Sequence, residues 1–217
     1  MKSMYFNEYF NSMTNHKGND ELESFDVLEA GFTGGNISMF ELVLIIQTCK
    51  IMNPMKILEL GTFNGRTSLN MALNTHRDTA IITVDLPDLE SAKYSLESEE
   101  GLDESGYVGM TEKLFLKREY DEWSSKISQF WIDSAQFPFD SFLNDKFDLI
   151  FIDASHSYEN ALNDSLNCMK VVGKNGLIMW HDYGGWPGVT KALDELNSEY
   201  KDIVHIKGTS IAFYFSK

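Results

Sequence analysis

The sequence predicts an α/β fold: a doubly wound, mostly parallel seven-stranded sheet whose last strand runs antiparallel. Three observations carry this. Apolar strand-like runs alternate with helix-like runs from residue 56 to 200, the pattern of βαβ units. Gly61 and Gly65 stand where the first of these strands turns into a helix. The chain closes with strand-like runs at 203–206 and 211–215, joined only by Lys207-Gly208-Thr209-Ser210. A parallel crossover needs about a dozen residues, so neighbours joined this tightly run antiparallel.

The elements follow in order. Residues 1–35 are polar and mixed; Tyr5, Phe6, Tyr9 and Phe10 repeat at helical spacing, then a loop passes through Gly31 and Gly34-Gly35. Asn36 or Ser38 caps a helix reaching about Met52, and Pro54 breaks it. Strands follow at 56–60 and 80–85, with a turn at 61–65 and a helix at 66–74 between them. Residues 88–118 are acidic and irregular, densest in charge at 97–104, and read as a lid inserted over the sheet's carboxyl edge. Strands at 126–132, 147–153 and 176–180 and helices at 158–172 and 189–200 complete the pattern. No repeat, low-complexity tract or linker interrupts it, so residues 1–217 read as one domain with an N-terminal extension over 1–35.

Bulk properties exclude several classes. A net charge of −15 with no run of Lys or Arg argues against a nucleic-acid partner, whose backbone needs clustered cations. The longest apolar run, 42–46, is far too short for a bilayer, and Asn7, Glu8 and Asn11 interrupt any signal-peptide core. The expected setting is the cytoplasm, with no membrane partner and a small molecule as substrate; a homo-oligomer is left open. Cys49 and Cys168 each lie in apolar helix-like stretches, which suits buried core residues better than a disulfide. No Cys-x-x-Cys supports a structural zinc.

In open α/β sheets, ligands bind at the carboxyl ends of the strands where the strand order reverses. Three groups there are candidates for a cofactor site. Gly61 lets the backbone approach a ligand, and Gly65 allows the tight entry into the helix. Phe63 stands where a dinucleotide fingerprint has its middle glycine, which disfavours a pyrophosphate and favours a ligand such as an adenosyl amino acid. Asp85 ends the second strand, 24 residues beyond Gly61, near the roughly 20-residue spacing of an acid that accepts both ribose hydroxyls. Asp133-Ser134 follows the third strand, within reach of an adenine amino group. Each has a plainer reading as a packing glycine, turn residue or helix cap.

A second group can carry chemistry. Asp153 ends the fourth strand, and His181-Asp182 ends the fifth. If these strands are neighbours, their tips lie about 5 Å apart. Two carboxylates and an imidazole so placed suit a divalent metal, Mg²⁺ or Mn²⁺, which would activate a substrate hydroxyl. His156, three residues beyond Asp153, is placed to take the hydroxyl proton. Plainer readings stand beside these: Ser155 or Ser157 caps a helix with His156 merely exposed at its start, and His181 serves as a hydrogen-bonded core residue. Tyr158, Trp180 and Trp186 read as packing, with Trp186-Pro187 near enough to the mouth to touch a substrate.

Taken together, Glu59-Leu-Gly-Thr-Phe-Asn-Gly65, Val84-Asp85, Ile132-Asp133-Ser134, the 147–158 run Phe-Asp-Leu-Ile-Phe-Ile-Asp-Ala-Ser-His-Ser-Tyr and the 176–183 run Gly-Leu-Ile-Met-Trp-His-Asp-Tyr resemble class I S-adenosylmethionine (SAM)-dependent methyltransferases. Within them the chain is most similar to the branch of macrocin-type sugar O-methyltransferases and cephalosporin hydroxylase relatives, over roughly residues 36–217. The resemblance implies a Rossmann-like methyltransferase fold and SAM as cofactor. It places Glu59, Gly61, Gly65 and Ser68 on the methionine and ribose side, Asp85 on the ribose, and Asp133 and Ser134 on the adenine. It makes Asp153 and Asp182 metal ligands and His156 the general base. His181 departs from the pattern, standing where several relatives have Glu, which opens the identity of the metal. The expected activity is metal-assisted O-methylation of a small hydroxylated substrate such as a sugar. The alternatives are a hydroxylase on the same scaffold and a protein that binds the adenosyl cofactor without turnover; an NAD-linked dehydrogenase is disfavoured by Phe63 and the closing hairpin.

Overall fold

A computed structural model describes residues 1–14, 24–31, 33–96 and 105–217. The strands are β1 (Lys2–Met4), β2 (Lys56–Leu60), β3 (Ala80–Asp85), β4 (Ile127–Trp131), β5 (Phe147–Ile152), β6 (Val172–Trp180), β7 (Val204–Ile206) and β8 (Ala212–Phe215). The helices are α1 (Phe6–Thr14), α2 (Met39–Met52), α3 (Arg66–Leu73), the single turn α4 (Asp121–Ser124), α5 (Tyr158–Val171) and α6 (Pro187–Tyr200).

One mixed sheet holds all the strands in the order β1-β7-β8-β6-β5-β2-β3-β4. Every pairing is parallel except the two made by β8, which inserts antiparallel between β6 and β7. The closing hairpin therefore does what its short turn requires. The seven expected strands are joined by an eighth, β1, which pairs with β7 at the edge. Lys2-Ser3-Met4 has no alternating apolar pattern, because an edge strand of three mostly exposed residues has little to bury.

Side chains alternate across the strands and build two cores. On one face Ile57, Phe151, Met179 and Phe213 pack with α1 and α2 and include Cys49. On the other Leu58, Ile150, Ile178 and Trp180 pack against α5 and α6 and include Cys168. The two free cysteines thus lie in different cores, both buried.

Helix α2 starts with a reciprocal capping box: Ser38 accepts from the Glu41 backbone, and Glu41 accepts from the Ser38 backbone. It ends at left-handed Asn53, followed by Pro54. Helix α3 carries a side-chain ladder at i, i+4, i+8. Arg66 donates to the carbonyls of Glu29 and Ile37. Asn70 and Asn74 exchange hydrogen bonds with the backbone of Leu28 and Asp26. These bonds fasten residues 26–29 to α3.

The acidic stretch 97–104 of the expected lid lies outside the described residues. Among the described residues, no helix is long and apolar enough to cross a membrane.

Candidate active site

From β2 the chain winds outward through β3 and β4, then returns to place β5 and β6 on the other side, so the order reverses between β2 and β5. A cavity of about 360 Å³ opens at the carboxyl ends there. Its wall includes Gly61, Asp85, Asp133 and Ser134 on one side and Asp153, His156, His181 and Asp182 on the other. Residues from the tips of β2, β3 and β4 thus share one space with residues from the tips of β5 and β6.

The turn after β2 is built for close approach. Gly61 and Gly65 take φ of +89° and +79°, in the left-handed region. Phe63 also takes positive φ, at 48°, a rare conformation for a bulky side chain. Its ring lines the cavity and meets Tyr107 edge-on, with centroids 5.6 Å apart.

Asp85 accepts from Lys113 Nζ at 2.5 Å and from the backbone N–H groups of Thr62 and Leu86. Burial raises its pKa, while the ammonium of Lys113 opposes the rise. Lys113 also donates to the carbonyl of Phe63, tying the turn after β2 to Asp85. Asp133 accepts backbone N–H bonds from Ala135 at 2.8 Å and Lys93 at 2.5 Å, and Ser134 bonds the buried Asp164 carboxyl.

Glu59, Gly65 and Ser68 stand off the cavity wall. Glu59 is 1% exposed and lies under the turn, where it accepts from Ser68 and, at 2.6 Å, from Thr83. Burial pushes its pKa up to about 8. Glu59 pairs with Thr83 one residue short of the strand end, and with Ser68 it supports the turn from beneath. Gly65 meets the ring of Phe115, where a Cβ would fall 2.5 Å from Cδ1.

On the other side, β5 and β6 are paired neighbours, with Ile152 opposite Trp180. Among the described residues, Asp153, His181 and Asp182 bring ligand atoms within 4.8 Å of one another. His181 Nδ1 lies 3.1 Å from Asp153 Oδ1 and 3.0 Å from Asp182 Oδ1. Neither oxygen lies where a ring N–H would reach it well, and this buried nitrogen makes no hydrogen bond of good geometry. Three donors crowded on one point without a bond between them fit a shared cation. Burial alone would lower the His181 pKa; Asp153, Asp182 and Glu41 override it and raise it. Asp182 takes φ of 69°, a strained turn that aims its carboxylate inward. Its other oxygen, Oδ2, lies 2.9 Å from His156 Nε2. The His156 ring stacks on Trp186 at 4.1 Å and 7°. Ser157 is the N-cap of α5, as expected, although its hydroxyl makes no cap bond to the helix backbone and accepts from the Asn160 side chain.

Sequence reasoning missed two charged residues. Lys113 lies in an irregular stretch without a motif. Glu41 reads as part of a capping box, and nothing in the sequence signals that its carboxylate also reaches His181 Nε2, 3.4 Å away across 140 positions.

A doubly wound sheet with one reversed strand beside its edge and an acid-tipped cavity at the switch point defines the Rossmann-like methyltransferase class. A family model described as a methyltransferase domain matches residues 58–183, and the chain belongs to that family: it is a SAM-dependent methyltransferase. Solved structures share the fold. The O-methyltransferase TomG from Streptomyces achromogenes, involved in tomaymycin synthesis and solved with SAM, is 15% identical, with 99% of this chain and 100% of that chain covered and a TM-score of 0.59. The O-methyltransferase NovP is 17% identical, covering 83% of this chain and 81% of its own, with a TM-score of 0.62. An O-methyltransferase from Bacillus cereus in complex with SAH is 15% identical, covering 97% and 91%, with a TM-score of 0.57. No curated protein matches the chain in sequence.

Proposed function

We propose that the chain transfers the methyl group of SAM to a hydroxyl oxygen of a small molecule, such as a sugar, with the help of a divalent metal. The observation that carries this is the single cavity in which Asp85, Asp133 and Ser134 face Asp153, His156, His181 and Asp182. The similar structures named as O-methyltransferases support the choice of oxygen.

Asp85 accepts the ribose hydroxyls, and Asp133 and Ser134 hold the adenine edge. Gly61 brings the backbone against the amino-acid end. Asp153, His181 and Asp182 would hold the metal, which supplies Lewis acidity toward the acceptor hydroxyl. His156, oriented by Asp182 and the face of Trp186, receives the hydroxyl proton as the new carbon–oxygen bond forms and the carbon–sulfur bond breaks. The remaining contribution is alignment of oxygen, carbon and sulfur. The segment 88–118 and the N-terminal segment would choose the acceptor.

The test is an acceptor screen with SAM and Mn²⁺ or Mg²⁺, followed by mass spectrometry. A product carrying one added methyl, formed with S-adenosylhomocysteine, supports the reading. A product with one added oxygen, or tight cofactor binding with no turnover of any acceptor, overturns it.

A further inference from the structure

Glu41 lies in the first turn of α2, 7% exposed, on the far side of His181 from the two aspartates. Its Oε2 sits 3.4 Å from His181 Nε2 and accepts from the backbone and hydroxyl of Ser38. Its Oε1 accepts from the backbone and hydroxyl of Ser210, both at 2.8 Å. Four donors from two separate elements fix the carboxylate before His181 is considered. That is more than a capping box needs, since the cap is complete with Ser38 alone.

An imidazole has two nitrogens, and the partner of one decides what the other can do. An acceptor fixed at Nε2 keeps the proton there and leaves Nδ1 with its lone pair. Nδ1 is the nitrogen lying 3.1 Å from Asp153 and 3.0 Å from Asp182. We infer that Glu41 is a positioning residue: by holding Nε2–H it fixes the tautomer and tilt of His181, so that Nδ1 completes a cation site with Asp153 and Asp182. This rests on the metal-assisted reading above. A carboxylate behind a ligating histidine also raises the basicity of the ligand nitrogen.

The test is Mn²⁺ affinity, read from the electron paramagnetic resonance of free Mn²⁺, for metal-stripped protein without SAM or acceptor. Glu41→Ala is expected to weaken Mn²⁺ binding by about 10–100-fold. Glu41→Gln, which keeps an acceptor oxygen, is expected to recover most of it. Equal affinity in wild type and Glu41→Ala, or equal weakness in Gln and Ala, overturns the assignment while leaving the metal reading intact. If wild type binds no Mn²⁺, the metal reading itself falls and takes this one with it. Should Glu41→Ala not fold, Co²⁺-loaded wild type and Glu41→Gln decide the matter by proton NMR. Wild type is expected to show a hyperfine-shifted, slowly exchanging N–H that is absent in His181→Ala and exchanges faster in Glu41→Gln. No such signal in wild type, or an unchanged one in Glu41→Gln, counts against Glu41.

Discussion

Gly61 rests directly on the backbone of Asp153: a Cβ at residue 61 would lie 1.8 Å from the Asp153 carbonyl oxygen. The turn after β2 and the strand tip that carries Asp153 are therefore in contact, with no room between them. Gly61→Ala forces the end of β5 aside and adds a side chain at positive φ. It is expected to cost roughly 2–4 kcal/mol of stability and to abolish S-adenosylhomocysteine binding, read by thermal melting and calorimetry.

Asp85→Ala tests the ribose contact. Loss of a charged acceptor is expected to weaken S-adenosylhomocysteine binding by about 10–100-fold, the usual value of hydrogen bonds to an ionised group. The same change strands the buried ammonium of Lys113, so the melting temperature should fall as well. Unchanged calorimetric affinity would place the ribose elsewhere.

His156→Ala separates chemistry from binding. Turnover of an identified acceptor is expected to drop by about 10²–10⁴-fold, the range for a lost general base, with cofactor affinity intact. A variant with undiminished kcat would move the proton to another group.

Chelation is expected to suppress turnover reversibly. Mn²⁺ should restore it better than Mg²⁺, because an imidazole among the ligands favours the softer ion. Rate measurements across both metals at saturating SAM check this, and full activity in the chelator would remove the metal from the mechanism.

Asp164, fully buried on α5, has its pKa pushed up to about 7 by burial, with Ser134 and Asn163 partly offsetting the rise. Between the ordinary carboxylate range and about 7, the folded chain keeps a proton that the unfolded chain gives up. This group's contribution is therefore full at low pH and falls as pH rises through that window. Asp164→Asn should flatten the corresponding part of a plot of denaturation midpoint against pH.

Most of the fold was legible because its signals are local. The boundaries of β2 and β3 fell where expected, since Lys56–Leu60 and Ala80–Asp85 are short apolar runs bounded by turn residues. The hairpin direction followed from four linking residues. Asp85, Asp153, His156, His181 and Asp182 were legible as a set because each follows a recognisable strand, and the topology brings strand tips to one edge. What escaped was long-range or two-sided. Glu59 carries the expected motif, yet lies buried beneath the turn, bonded to Ser68 and Thr83, a depth that a ligand motif does not encode. β1 was invisible because its three residues gain from backbone pairing with β7 and bury little.

The hairpin of β7 and β8 has a consequence for how the site is completed. Ser210 reaches Glu41 across 169 positions, and β8 lies between β6 and β7 in the sheet. The corner behind His181 therefore joins residues 169 positions apart and is complete only once the C-terminal hairpin has taken its place in the sheet.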